Sequence, residues 1–204
     1  MSGFDDKAKT WDSDAKKVAR AEAIASAIRK RARIHPDMTA FEYGCGTGLL
    51  SFALQSDFSH ITLADSSDGM LAVLNEKIAF AGSGNMQVAK LDLTTDPLPS
   101  ERFDIIYTAM TLHHIEDVDG LFETFYQLLK TTGYLCVADL DKEDGSFHGH
   151  NFSGHHGFDR IALAEPARQA GFVSTQFETV YNMTRGEGAE KKDFPIFLMI
   201  ARKE

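Results

Sequence analysis

Residues 41–50, FEYGCGTGLL, have the types and spacing of a ligand-holding turn. An apolar run leads into Gly44, glycines recur at Gly46 and Gly48 with Cys45 and Thr47 between them, and apolar residues resume at Leu49. Glycine lets a chain turn through left-handed backbone angles and lets a ligand come close to the backbone. A strand that enters such a turn and leaves as a helix also points unpaired N–H groups at the occupant. Asp65 ends the next apolar run, where a carboxylate can accept both hydroxyls of a ribose. Asp92 ends the run after that, in AKLDL, where a helix or turn cap is the competing role. A dinucleotide pyrophosphate needs glycines at positions one, three and six of the turn. Here the sixth position is Leu49, so that pattern fails.

These residues need a sheet edge to bring them together, and the surrounding pattern supplies one. Strands are expected at 38–43, 61–64, 86–91, 103–110 and 134–140, with a turn around Gly133. Helices are expected at 49–56, after Ser67 (with Met70, Leu71, Leu74 and Ile78 on one face), at 118–130 and at 160–170. An opening helix at 14–33 puts Val18, Ala21, Ile24, Ala25 and Ile28 on one face and ends in the basic run 29–33. Two further strands, 175–184 and 194–201, are joined by the polar loop 185–192. Alternating strands and helices imply a parallel sheet covered on both faces, an α/β fold of Rossmann-like type. Ligands bind such sheets at the strand ends, where Gly44, Asp65 and Asp92 fall. The whole chain, 1–204, reads as one domain: an N-terminal segment and helix (1–35), a cofactor-binding half (36–140), and a loop with C-terminal strands (141–204).

With Glu42 two residues before Gly44, the glycine turn resembles the first motif of class I S-adenosylmethionine-dependent methyltransferases. Residues 103–140 resemble the fourth-to-fifth-strand region of their small-molecule branch, the ubiquinone/menaquinone-biosynthesis type, with LHHI at 112–115. FDDKAKTWD, residues 4–12, resembles that group's N-terminal segment, which folds over the cofactor. The resemblance implies a seven-stranded sheet in order 3-2-1-4-5-7-6 with the last strand antiparallel. It implies S-adenosyl-L-methionine as cofactor and S-adenosyl-L-homocysteine as product. It also implies a cofactor site formed by Trp11, Glu42, Gly44, Cys45, Gly46, Asp65, Ser66, Met70, Asp92, Leu93, Ala109 and Met110. In it Asp92 accepts from the adenine amino group and the Leu93 amide lies by the ring edge.

Methyl transfer from a sulfonium is an in-line displacement, so positioning and exclusion of water do much of the work. A general base is needed only when the acceptor is protonated at neutral pH. His113 and His114 follow the fourth strand at the mouth of the expected site. Loop 142–157 carries His148, His150, His155 and His156. His113, His148 and His156 are the candidates for orienting an acceptor or taking its proton. Packing is the competing role for each. No metal site is expected, because no acidic or cysteine ligands accompany the histidines at a familiar spacing. Asp139 and Asp141 either meet a cationic acceptor or cap the loop. Cys45 reads as a small turn residue rather than a nucleophile.

Bulk properties narrow the partners. The net charge is −9, the chain is 43% hydrophobic and 25% charged, and there are two cysteines. An acidic chain is a poor match for nucleic acid. The cysteines suggest no disulfide framework, and the start has no apolar core of a signal peptide. No stretch is long enough to span a membrane, so a soluble cytoplasmic protein is expected. The expected activity is methyl transfer to a small-molecule acceptor of unknown identity. A non-catalytic S-adenosylmethionine-binding regulator, a protein side-chain methyltransferase and a nicotinamide oxidoreductase are the alternatives.

Overall fold

The computed structural model describes residues 4–149, 152–186, 188 and 191–204. Seven strands form one sheet in the order β3-β2-β1-β4-β5-β7-β6. They are β1 (Thr39–Tyr43), β2 (His60–Asp65), β3 (Met86–Lys90), β4 (Phe103–Ala109), β5 (Leu129–Leu140), β6 (Val173–Arg185) and β7 (Lys192–Arg202). Pairing is parallel from β3 to β5, and β7 is antiparallel to both β5 and β6. This is the Rossmann-like arrangement and strand order that the sequence implied.

Alternation along the strands builds two cores. Ala40, Ile105, Tyr107, Cys136, Ala138 and Leu198 face one side of the sheet. There they meet α1 (Ala15–Arg31), α2 (Leu49–Leu54) and α3 (Asp68–Ala81). Their neighbours in sequence, such as Phe41, Ile106, Val137 and Phe197, face the other side. They meet α4 (Val118–Leu128) and α5 (Arg160–Gln169). A two-residue period on strands buried on both faces gives this result directly. The helices start where side chains satisfy free N–H groups. Asp14 accepts from Lys16 N, Ser67 from Met70 N, Asp117 from Gly120 N, and Asp159 from Ile161 N and Ala162 N.

Several boundaries differ from the sequence reading. The helix expected to reach 130 stops at Leu128, because Leu129 already pairs with Phe103 as part of β5. Gly133 is then inside a strand rather than in a turn. A Cβ there would lie 2.9 Å from Lys130 O and 3.0 Å from Asp104 O, so close backbone approach at an irregular register requires glycine. The helix from 49 ends at Leu54 and tightens into a 3₁₀ turn, Gln55–Asp57. Val18 does not join the core face of α1, which begins at Ala21. The N-terminal segment 5–13 is a 3₁₀ helix packed on α3, with only Ala8 buried. Part of loop 185–192 falls outside the described residues, as does His150. Among the described residues, no helix is long and apolar enough to cross a membrane.

Candidate cofactor and acceptor cavity

One cavity of about 1290 Å³ opens at the ends of the parallel strands. Its floor is the glycine turn. Gly44, Gly46 and Gly48 all have positive φ, at 69°, 53° and 79°. Gly44 N and Cys45 N donate to Ala64 O at 2.8 and 3.0 Å, which ties the turn to β2. A Cβ on Gly44 would lie 2.3 Å from Thr111 Oγ1, and one on Gly48 2.6 Å from Leu74 Cδ1. At Gly46 the nearest atom would be Met70 Sδ at 3.9 Å, so its open side faces the cavity. Gly46 is therefore a place for a ligand to approach backbone.

Asp65 holds this turn from β2. It accepts from Gly46 N at 2.7 Å and from Ser67 N at 2.9 Å, one bond on each oxygen. Each oxygen keeps a lone-pair direction for a ligand. Asp92 accepts from Thr94 N, Thr94 Oγ1 and Tyr43 Oη through Oδ1, while Oδ2 has no partner among the described residues. Partial burial pushes its pKa up, but the Thr94 hydroxyl and N–H and the Tyr43 hydroxyl outweigh this and hold it low. Asp92 is thus an ionised acceptor at neutral pH.

Glu42 is different: it is buried on β1, and burial pushes its carboxyl up to about 8 against the opposing bond from Ser51. Ser51 donates to Glu42 and shares a 2.7 Å bond with Tyr107 Oη. Cys45 is buried, and burial followed by the nearby Glu42 and Asp65 raises its thiol well above the usual range. It stays protonated, as a turn residue and not a nucleophile would.

The other wall is aromatic. His113 follows β4 in a 3₁₀ turn, Leu112–His114. Its Nδ1 lies 2.6 Å from Asp139 Oδ1, and its backbone N donates to Asp139 Oδ2 at 3.2 Å. Asp139, fully buried at the end of β5, also accepts from Leu140 N. With Nδ1 donating to a carboxylate, Nε2 is the ring nitrogen left to accept. His148 stacks on Phe152 with centroids 4.0 Å apart, and Phe4 sits edge-on to His114 at 5.3 Å. His114 and His148 are exposed, but toward a cavity whose walls limit bulk water. Burial and then His113 lower both rings to about 4; His148 further lowers His114, and Arg185 further lowers His148. Both imidazoles are neutral at pH 7.

Most of the residues expected from sequence meet here: Trp11, Glu42, Gly44, Cys45, Gly46, Asp65, Ser66, Met70, Asp92, Ala109, Met110, His113 and His148 all border the cavity. Leu93 does not. It is buried in the core beneath, and Leu91 borders the cavity instead. His156 does not border it either. Backbone bonds from Lys142 N to Phe158 O and Glu143 N to His156 O fix that segment, and the ring pairs with Glu143 at 3.3 Å. Asp141 is held by both arms of Arg160, and Asp139 is spent on His113, so neither meets an acceptor. Among the described residues, no three His, Cys, Asp or Glu side chains converge as metal ligands would.

Arg20 and Arg185 are among the cavity residues that were not foreseen. Arg20 had a readable signal: it is four residues before Ile24 and eight before Ile28, a charge on the apolar stripe of α1. Arg185 had none, since its place depends on β6 crossing beside α1.

The stretch from the glycine turn to β5, and the strand order, have counterparts among known proteins. Residues 41–137 match the family described as a methyltransferase domain. This stretch is a methyltransferase domain of the class I type, which uses S-adenosylmethionine. An uncharacterized methyltransferase of Schizosaccharomyces pombe is 30% identical over 160 residues, covering 75% of this chain and 55% of the relative. The ubiquinone/menaquinone biosynthesis C-methyltransferase UbiE of Shewanella sediminis is 32% identical over 111 residues, covering 52% of this chain and 44% of its own length. The chain thus spans about half the length of these curated relatives. Phosphoethanolamine N-methyltransferase 2 of Haemonchus contortus, solved with S-adenosyl-L-methionine, superposes with a TM-score of 0.71 at 17% identity. That match covers 100% of this chain and 60% of the worm protein, and at such low identity it speaks to fold.

Proposed function

We propose that this chain transfers the methyl group of S-adenosylmethionine to a small-molecule acceptor within the cavity described above. The observation that carries this reading is the turn at Gly46, open toward the cavity and braced by Asp65 at 2.7 Å. Asp65 suits the ribose hydroxyls, and Asp92, with Oδ2 unpartnered, suits the adenine amino group. When bound, the cofactor supplies an electrophilic methyl group on a sulfonium. The neighbouring residues fit that charge: His114 and His148 stay neutral, so no imidazolium competes with it.

His113 is placed to accept a proton from an acceptor hydroxyl through Nε2, with Asp139 fixing the ring. Phe4, Trp11 and Phe152 restrict water around the same space. The test is calorimetry with S-adenosylmethionine and with NAD, followed by incubation with methyl-labelled cofactor and a metabolite extract. Binding of the first alone, with label entering a low-mass product, is expected. Failure to bind S-adenosylmethionine would overturn the reading. Binding with no transfer to any component would make the chain a cofactor-binding regulator instead.

A further inference from the structure

Beside Lys7, Lys16, Lys17, Asp14, Glu116 and Asp117, the cavity wall carries two sets of ionisable groups at opposite sides of the sheet. Glu42, Asp65 and Asp92 come from the ends of β1 and β2 and the residues just beyond β3. Arg20 and Arg185 come from α1 and β6, on the opposite side of the strand order. Neither guanidinium reaches a carboxylate among the described residues. Arg20 Nη1 meets only the thioether of Met183, at 3.3 Å, which is a weak acceptor. Arg185 lies over the Phe147 ring at 3.8 Å and donates to Phe147 O. Arg20 is partly buried and Arg185 exposed, and neither has an ion pair among the described residues, so a ligand oxyanion would gain two charged donors and offset the desolvation of Arg20.

We infer that the methyl acceptor carries an oxyanion, a carboxylate or a phosphate, held between Arg20 and Arg185. This rests on the methyltransferase reading. Packing of α1 on β6 brings Arg20 to Met183, two residues from Arg185 on the same strand, and both guanidinium groups border the cavity. Through Met183, Arg20 sits against β6, at the opposite edge of the sheet from β3 and the Asp92 turn. His148, stacked on Phe152, adds an uncharged aromatic wall to the same cavity, against which the body of an acceptor can lie. The guanidinium fork matches both carboxylate and phosphate, so the shared chemistry is the oxyanion.

The label-transfer product should be retained by an anion exchanger at pH 8. Release after alkaline phosphatase assigns a phosphate; unchanged retention assigns a carboxylate. Arg20→Gln and Arg185→Gln should each weaken transfer at limiting acceptor by roughly tenfold or more, with affinity for S-adenosylhomocysteine unchanged. Arg20→Lys should recover part of the loss, which a folding defect would not. Independently of turnover, inorganic phosphate or acetate titrated into protein saturated with S-adenosylhomocysteine should give a saturable calorimetric signal that Arg20→Gln removes. An unretained product, no saturable signal with either anion, or variants that lose S-adenosylhomocysteine affinity would each overturn the inference. The last outcome would give the arginines to the cofactor's own carboxylate. Wild-type protein that binds no S-adenosylmethionine would instead sink the methyltransferase reading.

Discussion

Glu42 makes a quantitative test of how the cavity is built. In the fold its carboxyl is raised to about 8 from an ordinary 4.5, with burial as the main cause. In the unfolded chain it ionises near 4.5, so between these values the native state binds the extra proton. The sign follows: its contribution to stability is fully present below pH 4.5 and is lost as pH rises through 8. The slope is about 1.4 kcal/mol per pH unit, or about 4 kcal/mol from pH 5 to pH 8. Glu42→Gln keeps the shape and the bond to Ser51 but cannot ionise. Urea unfolding of both proteins at pH 5, 6, 7 and 8 isolates the effect, since all other titrating groups cancel in the difference. The wild type should lose about 4 kcal/mol relative to the variant over that range. A cationic cofactor should also drive proton release at pH 7, seen as a binding enthalpy that depends on buffer and loses that dependence in Glu42→Gln. Parallel stability profiles for the two proteins would refute the reasoning.

Other expectations follow from the same geometry. Asp65→Ala removes the brace on Gly46 N and the proposed ribose contacts, and should weaken S-adenosylmethionine binding by about 2–4 kcal/mol, read by calorimetry. Unchanged affinity in a folded variant would withdraw the assignment. His114 and His148 should titrate near pH 4 by proton NMR, and stability from these rings should be present above pH 6.5 and fall as pH drops toward 4. Midpoints above 6 would contradict this. Deleting residues 1–12 should reduce transfer severalfold while lowering Tm by no more than about 3 °C, because the described part of that stretch buries only Ala8. Full activity in that truncation would make the segment a mere appendage.

The sheet and its glycine turn were legible because their signals are local. Gly44, Gly46 and Gly48 need left-handed backbone, and Asp65 and Asp92 sit where their strands end. Local signals failed where a tertiary contact overrode them. Leu129 looks helical beside Leu128, yet pairing with Phe103 draws it into β5. His156 resembles His148 in sequence, but backbone bonds to Lys142 and Glu143 turn it away from the cavity. Leu93 follows Asp92 directly, and the turn closed by Thr94 on Asp92 sends its side chain into the core.

The N-terminal segment shows the same division between local and distant causes. Its sequence is polar, and on composition alone it has little reason to pack. The structure supplies that reason through charge. Asp5 accepts from Ser67 Oγ at 2.6 Å and from Gly69 N at 2.9 Å, adding a carboxylate to the first turn of α3. Asp12 takes the Lys77 ammonium at 2.5 Å and a bond from Thr47 Oγ1, inside the glycine turn itself. Gly69 has to be glycine, since a Cβ would lie 2.8 Å from the Asp5 backbone. The attachment is therefore specific, polar and nearly free of buried apolar surface. Partly exposed polar contacts of this kind contribute little net free energy, because water replaces them when they open. Because Phe4 and Trp11 stand at the cavity wall, hydrogen exchange across 4–12 should slow when S-adenosylhomocysteine binds, and exchange unaffected by saturating ligand would refute a closing role for the segment.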